Sequence, residues 1–293
     1  MKASTPPSTA YSPDEKGLAG TQSVQHYENF PVASLLCPTR FRPPIAAIYH
    51  FARTADDIAD EGDASPAERL ADLAAYRADL SAVSQGRATS ERWPAVFKAL
   101  GPMLQQWQLP LPLLTDLLSA FEQDIVQTRY ANQAELRDYC RRSANPIGRL
   151  LLHLYGVNDA EALNQSDCIC TALQLINFWQ DLNEDIPRGR VYLPADLQAK
   201  HGVTESELLS QQISSNTRAL VADSVDWARQ LMQQGAPLVK QVPGRAGWEL
   251  RLVVQGGLRI AERIEQLDFA TLQQRPVIGK RDALVMAWRA LRM

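Results

Sequence analysis

Covalent staples, metal-cysteine sites and membrane spans find little support in this 293-residue chain. Its four cysteines, Cys37, Cys140, Cys168 and Cys170, form no CxxC pair and no zinc-type spacing. A chain of this length buries roughly three quarters of its unfolded surface and needs no disulfides. The cysteines therefore point to a reducing compartment and a cytoplasmic location. Apolar runs such as Ala46–Ile48 and Leu150–Leu152 fall far short of the ~20 residues that cross a bilayer. Basic charge is not in excess: 30 Lys and Arg against 33 Asp and Glu leave a net −3, which argues against nucleic acid as a partner. Neither GxxxxGK[ST] nor GxGxxG occurs, so no P-loop or dinucleotide fingerprint is present. The four histidines, His26, His50, His153 and His201, are scattered and make no HExxH or Ser-His-Asp signature.

What remains is helical. Residues 1–20 form a Ser/Thr/Pro-rich start without an apolar signal core and are expected to be a disordered tail. From there, apolar positions recur at 3.6-residue spacing through segments of roughly 15 to 25 residues, and strand patterns are nearly absent. Pro43-Pro44 opens one such stretch, where proline fits a first helical turn. Ser65 with Glu68 and Thr204 with Glu207 read as capping boxes, and Asn158 with Glu161 as a looser one. Breaks are expected near residues 63–65, 84–94, 109–112, 156–159, 187–194, 237, 243–247 and 273–279. No linker-like composition divides residues 21–293, which predicts one all-α domain of about ten helices.

Two acidic segments carry the chemistry. Tyr49, Arg53, Asp56 and Asp60 are offset by 0, 4, 7 and 11, one stripe along a helix, with Asp57 roughly 100° away. Taken alone, this stripe fits a solvated acidic face equally well. Gln174, Asn177, Asp181 and Asp185 are offset by 0, 3, 7 and 11 and make a second stripe. Its neighbours Leu173, Leu175, Ile176, Phe178, Trp179 and Leu182 are apolar on nearly every other face, the mark of a buried helix. Buried amides and carboxylates must face a polar cavity, because desolvation without partners is costly. Two such stripes suggest facing helices with cations between them, and oxygen-only donors favour Mg²⁺ over zinc. Mg²⁺ held by few carboxylates completes its shell with substrate phosphates, and Arg53, Arg188 and Arg190 lie close in sequence. Phe178 and Trp179 read as core aromatics.

In order and spacing, these segments resemble the squalene/phytoene synthase family from about residue 23 to the C-terminus. Its YxxxRxxDDxxD is Tyr49 to Asp60, its LQLxN is Leu173 to Asn177, and its RGRxYLP is Arg188 to Pro194. Its YC…A…G segment is similar to Tyr139-Cys140 through Ala144 to Gly148. The resemblance implies an all-α isoprenoid-synthase helical bundle around a central cavity for prenyl chains, with Mg²⁺-dependent loss of diphosphate. It implies Asp56, Asp60, Asn177, Asp181 and Asp185 as metal ligands, with those aspartates and Arg53 catalytic. It also implies His26, Phe30, Tyr49, Arg53, Gln174, Asn177, Arg188 and Arg190 as substrate contacts.

The chain departs from the common pattern at three places. His26-Tyr27-Glu28-Asn29-Phe30 replaces His-Ser-Lys-Ser-Phe, Gln180 replaces an Arg before Asp181, and Gly256-Gly257 replaces Gly-Tyr. Glu28 and Gln180 can accept a hydrogen bond from water, and Gly257 is expected to free volume for it. His26–Ser34, Arg141–Leu154 and Asn177–Asp181 are similar to the bacterial hydroxysqualene-forming branch of hopanoid-type squalene biosynthesis. That branch implies conversion of presqualene diphosphate and water to hydroxysqualene and diphosphate. A second reading is head-to-head condensation of two prenyl diphosphates by a squalene or phytoene synthase. A third, a non-catalytic scaffold, is disfavoured by the cost of buried carboxylates. Expected partners are a presqualene diphosphate synthase upstream and a hydroxysqualene reductase downstream. Apolar substrate and product make peripheral contact at the inner membrane leaflet an expectation.

Overall fold

A computed structural model describes residues 37–293. The expected tail over residues 1–20, the expected domain start at 21, and the residues His26, Glu28 and Phe30 lie outside them. Thirteen α-helices are described: α1 (Arg42–Asp60), α2 (Pro66–Ser84), α3 (Pro94–Trp107), α4 (Leu111–Val126), α5 (Gln133–Ser143), α6 (Asn145–Tyr155), α7 (Ala160–Gln180), α8 (Leu182–Asp185), α9 (Ala195–Lys200), α10 (Glu205–Leu209), α11 (Ser215–Gly235), α12 (Gly244–Gln266) and α13 (Lys280–Ala290). No strand occurs among the described residues; Arg129 and Val191 make one isolated parallel bridge. No described helix is long and apolar enough to cross a membrane.

Local chemistry explains most boundaries. The Ser65–Glu68 and Thr204–Glu207 boxes close reciprocally and start α2 and α10. The cap of α7 is Asp159 rather than Asn158: the Asp159 side chain accepts from the Ala162 N–H at 2.9 Å. The count of about ten helices is exceeded because four breaks carry weak sequence signals. One separates α4 from α5, one falls at Ala144, one falls at Asp181, and one separates α10 from α11. The first is extended because Thr128 and Tyr130 give their carbonyls to Val191 and Ala195, a tertiary pairing that local sequence does not announce.

Two apolar clusters divide the interior. One gathers α1 to α4 with Leu150 and Leu154 of α6; the other gathers α5, α7, α11 and α12 around Trp179. Helix α7 lies against α5, α6, α11 and α12, so its apolar sides are covered by helices. The stripe it leaves polar faces the space between the two clusters, toward the end of α1.

Candidate active site

The last turns of α1 and the α7–α8 junction line one cavity of about 190 Å³. Asp56, Ala59 and Asp60 come from α1, and Gln174, Asn177, Phe178, Asp181 and Asp185 from the opposite wall. Asp124 of α4, Tyr139 of α5, and Arg190 and Tyr192 from the loop after α8 complete it. The second stripe is not one unbroken helix, as its spacing predicts. Helix α7 stops at Gln180, and Asp181 caps it at φ −102° and ψ 14°. Hydrogen bonds from the Asp181 N–H to the Asn177 carbonyl and from the Asp185 N–H to the Asp181 carbonyl, at 3.0 and 2.9 Å, bridge the break. That preserved i to i−4 ladder keeps all three side chains on one wall. The walls are half-buried rather than sealed, and Asp60 is exposed at the mouth.

Burial and mutual repulsion set the electrostatics. Asp56 is pushed up to about 6, by burial above all, with Asp57 and Asp60 adding repulsion and Arg53 opposing. Asp185 is pushed up to about 7 by burial and then by Asp181, against Arg190 and Arg188. Burial also raises Asp181, although Arg275 Nε donates to its Oδ1 at 2.5 Å. Arg190 donates to Asp60 across the cavity. Among the described residues, no three His, Cys, Asp or Glu side chains converge as a ready-made cation site. The aspartates stand instead in i,i+4 pairs. Such pairs suit a hard divalent ion that takes one or two carboxylates and fills its shell with water and phosphate oxygens.

Other sequence-expected residues sit off the cavity. Arg53 spans Asp56, Asp57 and Glu61 at 3.2, 2.6 and 2.7 Å. It holds the Asp56 carboxylate without lining the cavity. Tyr49 is buried, edge-on to His50 at 5.5 Å. Arg188 is exposed, and its charge lowers the pKa of Asp185. Trp179 is fully buried, whereas Phe178 faces the cavity and stacks on Tyr192 with ring centroids 3.7 Å apart. His153 Nε2 lies 2.8 Å from the Trp107 carbonyl and His201 Nε2 2.9 Å from Asp223, both structural contacts.

Two expectations about a water site are corrected. Gln180 is buried, and its Nε2 donates to the Pro276 carbonyl at 2.8 Å, so it anchors the loop before α13 and does not line the cavity. Gly257 frees no volume: a Cβ there would stand 2.7 Å from Met232 Cε and 2.9 Å from Leu173 Cδ2. Those two side chains already fill the space.

Asp124 is the residue that the sequence reading missed. The Tyr139 hydroxyl donates to its Oδ2 at 2.8 Å, while its buried Oδ1 has no hydrogen-bond partner among the described residues. Burial lifts it to about 7, against the Tyr139 bond and Arg190. Its signal was available: Asp124 falls three, four and seven residues after Phe121, Ala120 and Leu117, on the buried face of α4.

The profile of the squalene/phytoene synthase family matches residues 23–282. The chain belongs to that family. It is 34% identical over 245 residues to the hydroxysqualene synthase of Sinorhizobium fredii, covering 83% of this chain and 80% of the relative. It is 40% identical over 187 residues to the hydroxysqualene synthase of Zymomonas mobilis, covering 62% of this chain and 59% of that one. Squalene synthase HpnC from Alicyclobacillus acidocaldarius superposes with a TM-score of 0.77 at 35% identity, over 83% of this chain and 90% of the other. This family member is an enzyme with the all-α isoprenoid-synthase fold.

Proposed function

We propose that this enzyme converts presqualene diphosphate and water to hydroxysqualene and diphosphate, with Mg²⁺ as its metal. The observation that carries the reading is one cavity where five aspartates from α1, α4 and the α7–α8 junction meet, in a chain about a third identical to hydroxysqualene synthases. A diphosphate cannot approach that many carboxylates unaided, so the donor set suits bridging cations. Asp56 and Asp60 on one wall, and Asn177, Asp181 and Asp185 on the other, would be the ligands. Bound there, Mg²⁺ would supply positive charge to stabilise the diphosphate as it leaves.

The chain's own groups do the rest. Arg190 exchanges Asp60 for diphosphate oxygens, a charge-assisted pairing suited to a guanidinium. Arg188 adds positive field beside Asp185, and Arg53 positions Asp56. Cleavage of the C–O bond leaves its electron pair on diphosphate and a carbocation in the cavity, which rearranges as a C–C bond of its three-membered ring breaks. The stacked rings of Phe178 and Tyr192 offer that cation a π face. Water oxygen then forms the new C–O bond and gives its proton to Asp124, which lines the cavity. A carboxylate held near 7 both accepts and releases a proton at neutral pH. Gln174 on the cavity wall, with Tyr49, His26 and Phe30, remains a proposed substrate contact. A presqualene diphosphate synthase would supply the substrate, and a reductase would consume the alcohol.

The test is product analysis by mass spectrometry in ¹⁸O-labelled water. Presqualene diphosphate with Mg²⁺ and no NADPH is expected to give hydroxysqualene carrying the labelled oxygen. NADPH-dependent squalene formed efficiently from farnesyl diphosphate would overturn the reading in favour of a two-substrate condensation.

A further inference from the structure

Helix α13 uses one side to hold the molecule and leaves the other uncovered. Asp282 is fully buried against α12, where Arg259 Nε donates to it at 2.6 Å and Arg263 Nη2 at 2.7 Å. Arg289 pairs with Glu262, and Arg251 donates to the Ala290 carbonyl at 3.4 Å. Positions 282, 289 and 290 thus face inward. At 100° per residue, positions 284, 288 and 291 fall on the opposite side. There Leu284 is 74% exposed, Trp288 53% and Leu291 65%, and Val277 just before the helix is 62% exposed. With Ile278 these make five large exposed apolar side chains within fifteen residues, a concentration found nowhere else among the described residues.

Charge decides what fits this face. Lys280, Arg281 and Arg292 are exposed around it, and Arg292 lies over the Trp288 ring at 3.6 Å. The acid within the helix, Asp282, is turned inward and neutralised. The face is therefore basic in a chain whose net charge is −3. A second copy would set two basic rims against each other. An anionic bilayer satisfies both features: apolar side chains enter the headgroup boundary, tryptophan prefers that depth, and Lys and Arg meet acidic lipids.

We propose that α13, with Val277 and Ile278, is a docking surface for an anionic lipid bilayer. The loop leading into it is tied to the active site through Arg275 with Asp181 and through Gln180 with Pro276. Docking therefore sets the acidic cavity close to the membrane from which an apolar substrate would arrive. The surface stands on its own geometry and charge, independent of the reaction proposed above.

The test is sedimentation of the full chain, without substrate, on vesicles of phosphatidylcholine alone or mixed with phosphatidylglycerol. Binding is expected on the anionic vesicles, weaker on the neutral ones, and reduced by salt. Lys280→Gln with Arg281→Gln should lower anionic binding roughly 25-fold, about fivefold per charge. Leu284→Ser with Trp288→Ser should abolish it, and unchanged thermal melting of that variant would show that the fold is intact. Wild type remaining in the supernatant, or variants binding as well as wild type, would overturn the proposal. So would a concentration-dependent dimer that Leu284→Ser with Trp288→Ser dissociates, in the absence of vesicle binding.

Discussion

Asp56 and Asp57 are adjacent, yet the rotation of roughly 100° between them gives them different surroundings. Asp56 lines the cavity, while Asp57 pairs with Arg53 at 2.6 Å outside it. Asp56→Asn, Asp60→Asn, Asp181→Asn and Asp185→Asn should each lower turnover roughly 100-fold, with Asp57→Asn costing less than tenfold. Steady-state kinetics with a greater loss at Asp57 than at Asp60 would refute the assignment. Asp124 adds a pH signature. Because burial raises it to about 7, it stabilises the metal-free fold below the ordinary carboxylate range, and that contribution is lost as pH rises through about 7. Asp56 and Asp185 push in the same direction. Asp124→Asn should therefore flatten the fall in melting midpoint between about pH 4 and about pH 7, by about 2–4 °C for each kcal/mol relieved, while lowering turnover. Calorimetry in EDTA that shows an unchanged slope would remove Asp124 from this role.

At the scale of elements, helices meet closely where glycine permits it. Helix α11 ends against α7 at Gly235, where a Cβ would stand 2.5 Å from the Gln165 carbonyl oxygen and 2.9 Å from the Ile169 nitrogen. Both are backbone atoms that cannot rotate away. Gly235→Ala is expected to cost about 3 kcal/mol by overpacking, read from chemical denaturation. A cost near zero would mean that α11 and α7 separate freely. In the sequence, Gly235 looks only like a weak helix former before Pro237. The capping boxes at Ser65 and Thr204 were legible because their bonds span three residues. The break at Asp181 was not, because the wall it serves continues through the bonds on either side.

For the whole molecule, metal and anion should act together. Mg²⁺ and pyrophosphate added at about a hundred times their dissociation constant should raise stability by ~2.7 kcal/mol, or ~5–10 °C in melting midpoint. Each alone should do far less, because the carboxylates repel the anion and the ion wants phosphate oxygens. The joint shift should shrink as pH falls below about 6, since Asp56 and Asp185 must lose their protons to bind a cation. A differential scanning fluorimetry series with equal shifts at acidic and neutral pH would contradict that coupling.

The sequence by itself determined the helices and the two acidic pairs, because helical periodicity, capping and i,i+4 spacing are local. It also placed Phe178 and Trp179 in a buried helix. Only the tertiary structure decided which residues share the cavity. It brought Asp124 and Tyr139 together from α4 and α5, and it set Arg190 against Asp60 across 130 residues of chain. It also turned Gln180 and Gly257 into packing residues, against their expected part in a water site. These outcomes depend on how α1, α4, α7 and α12 pack, and contacts between distant helices leave no periodic mark in the chain.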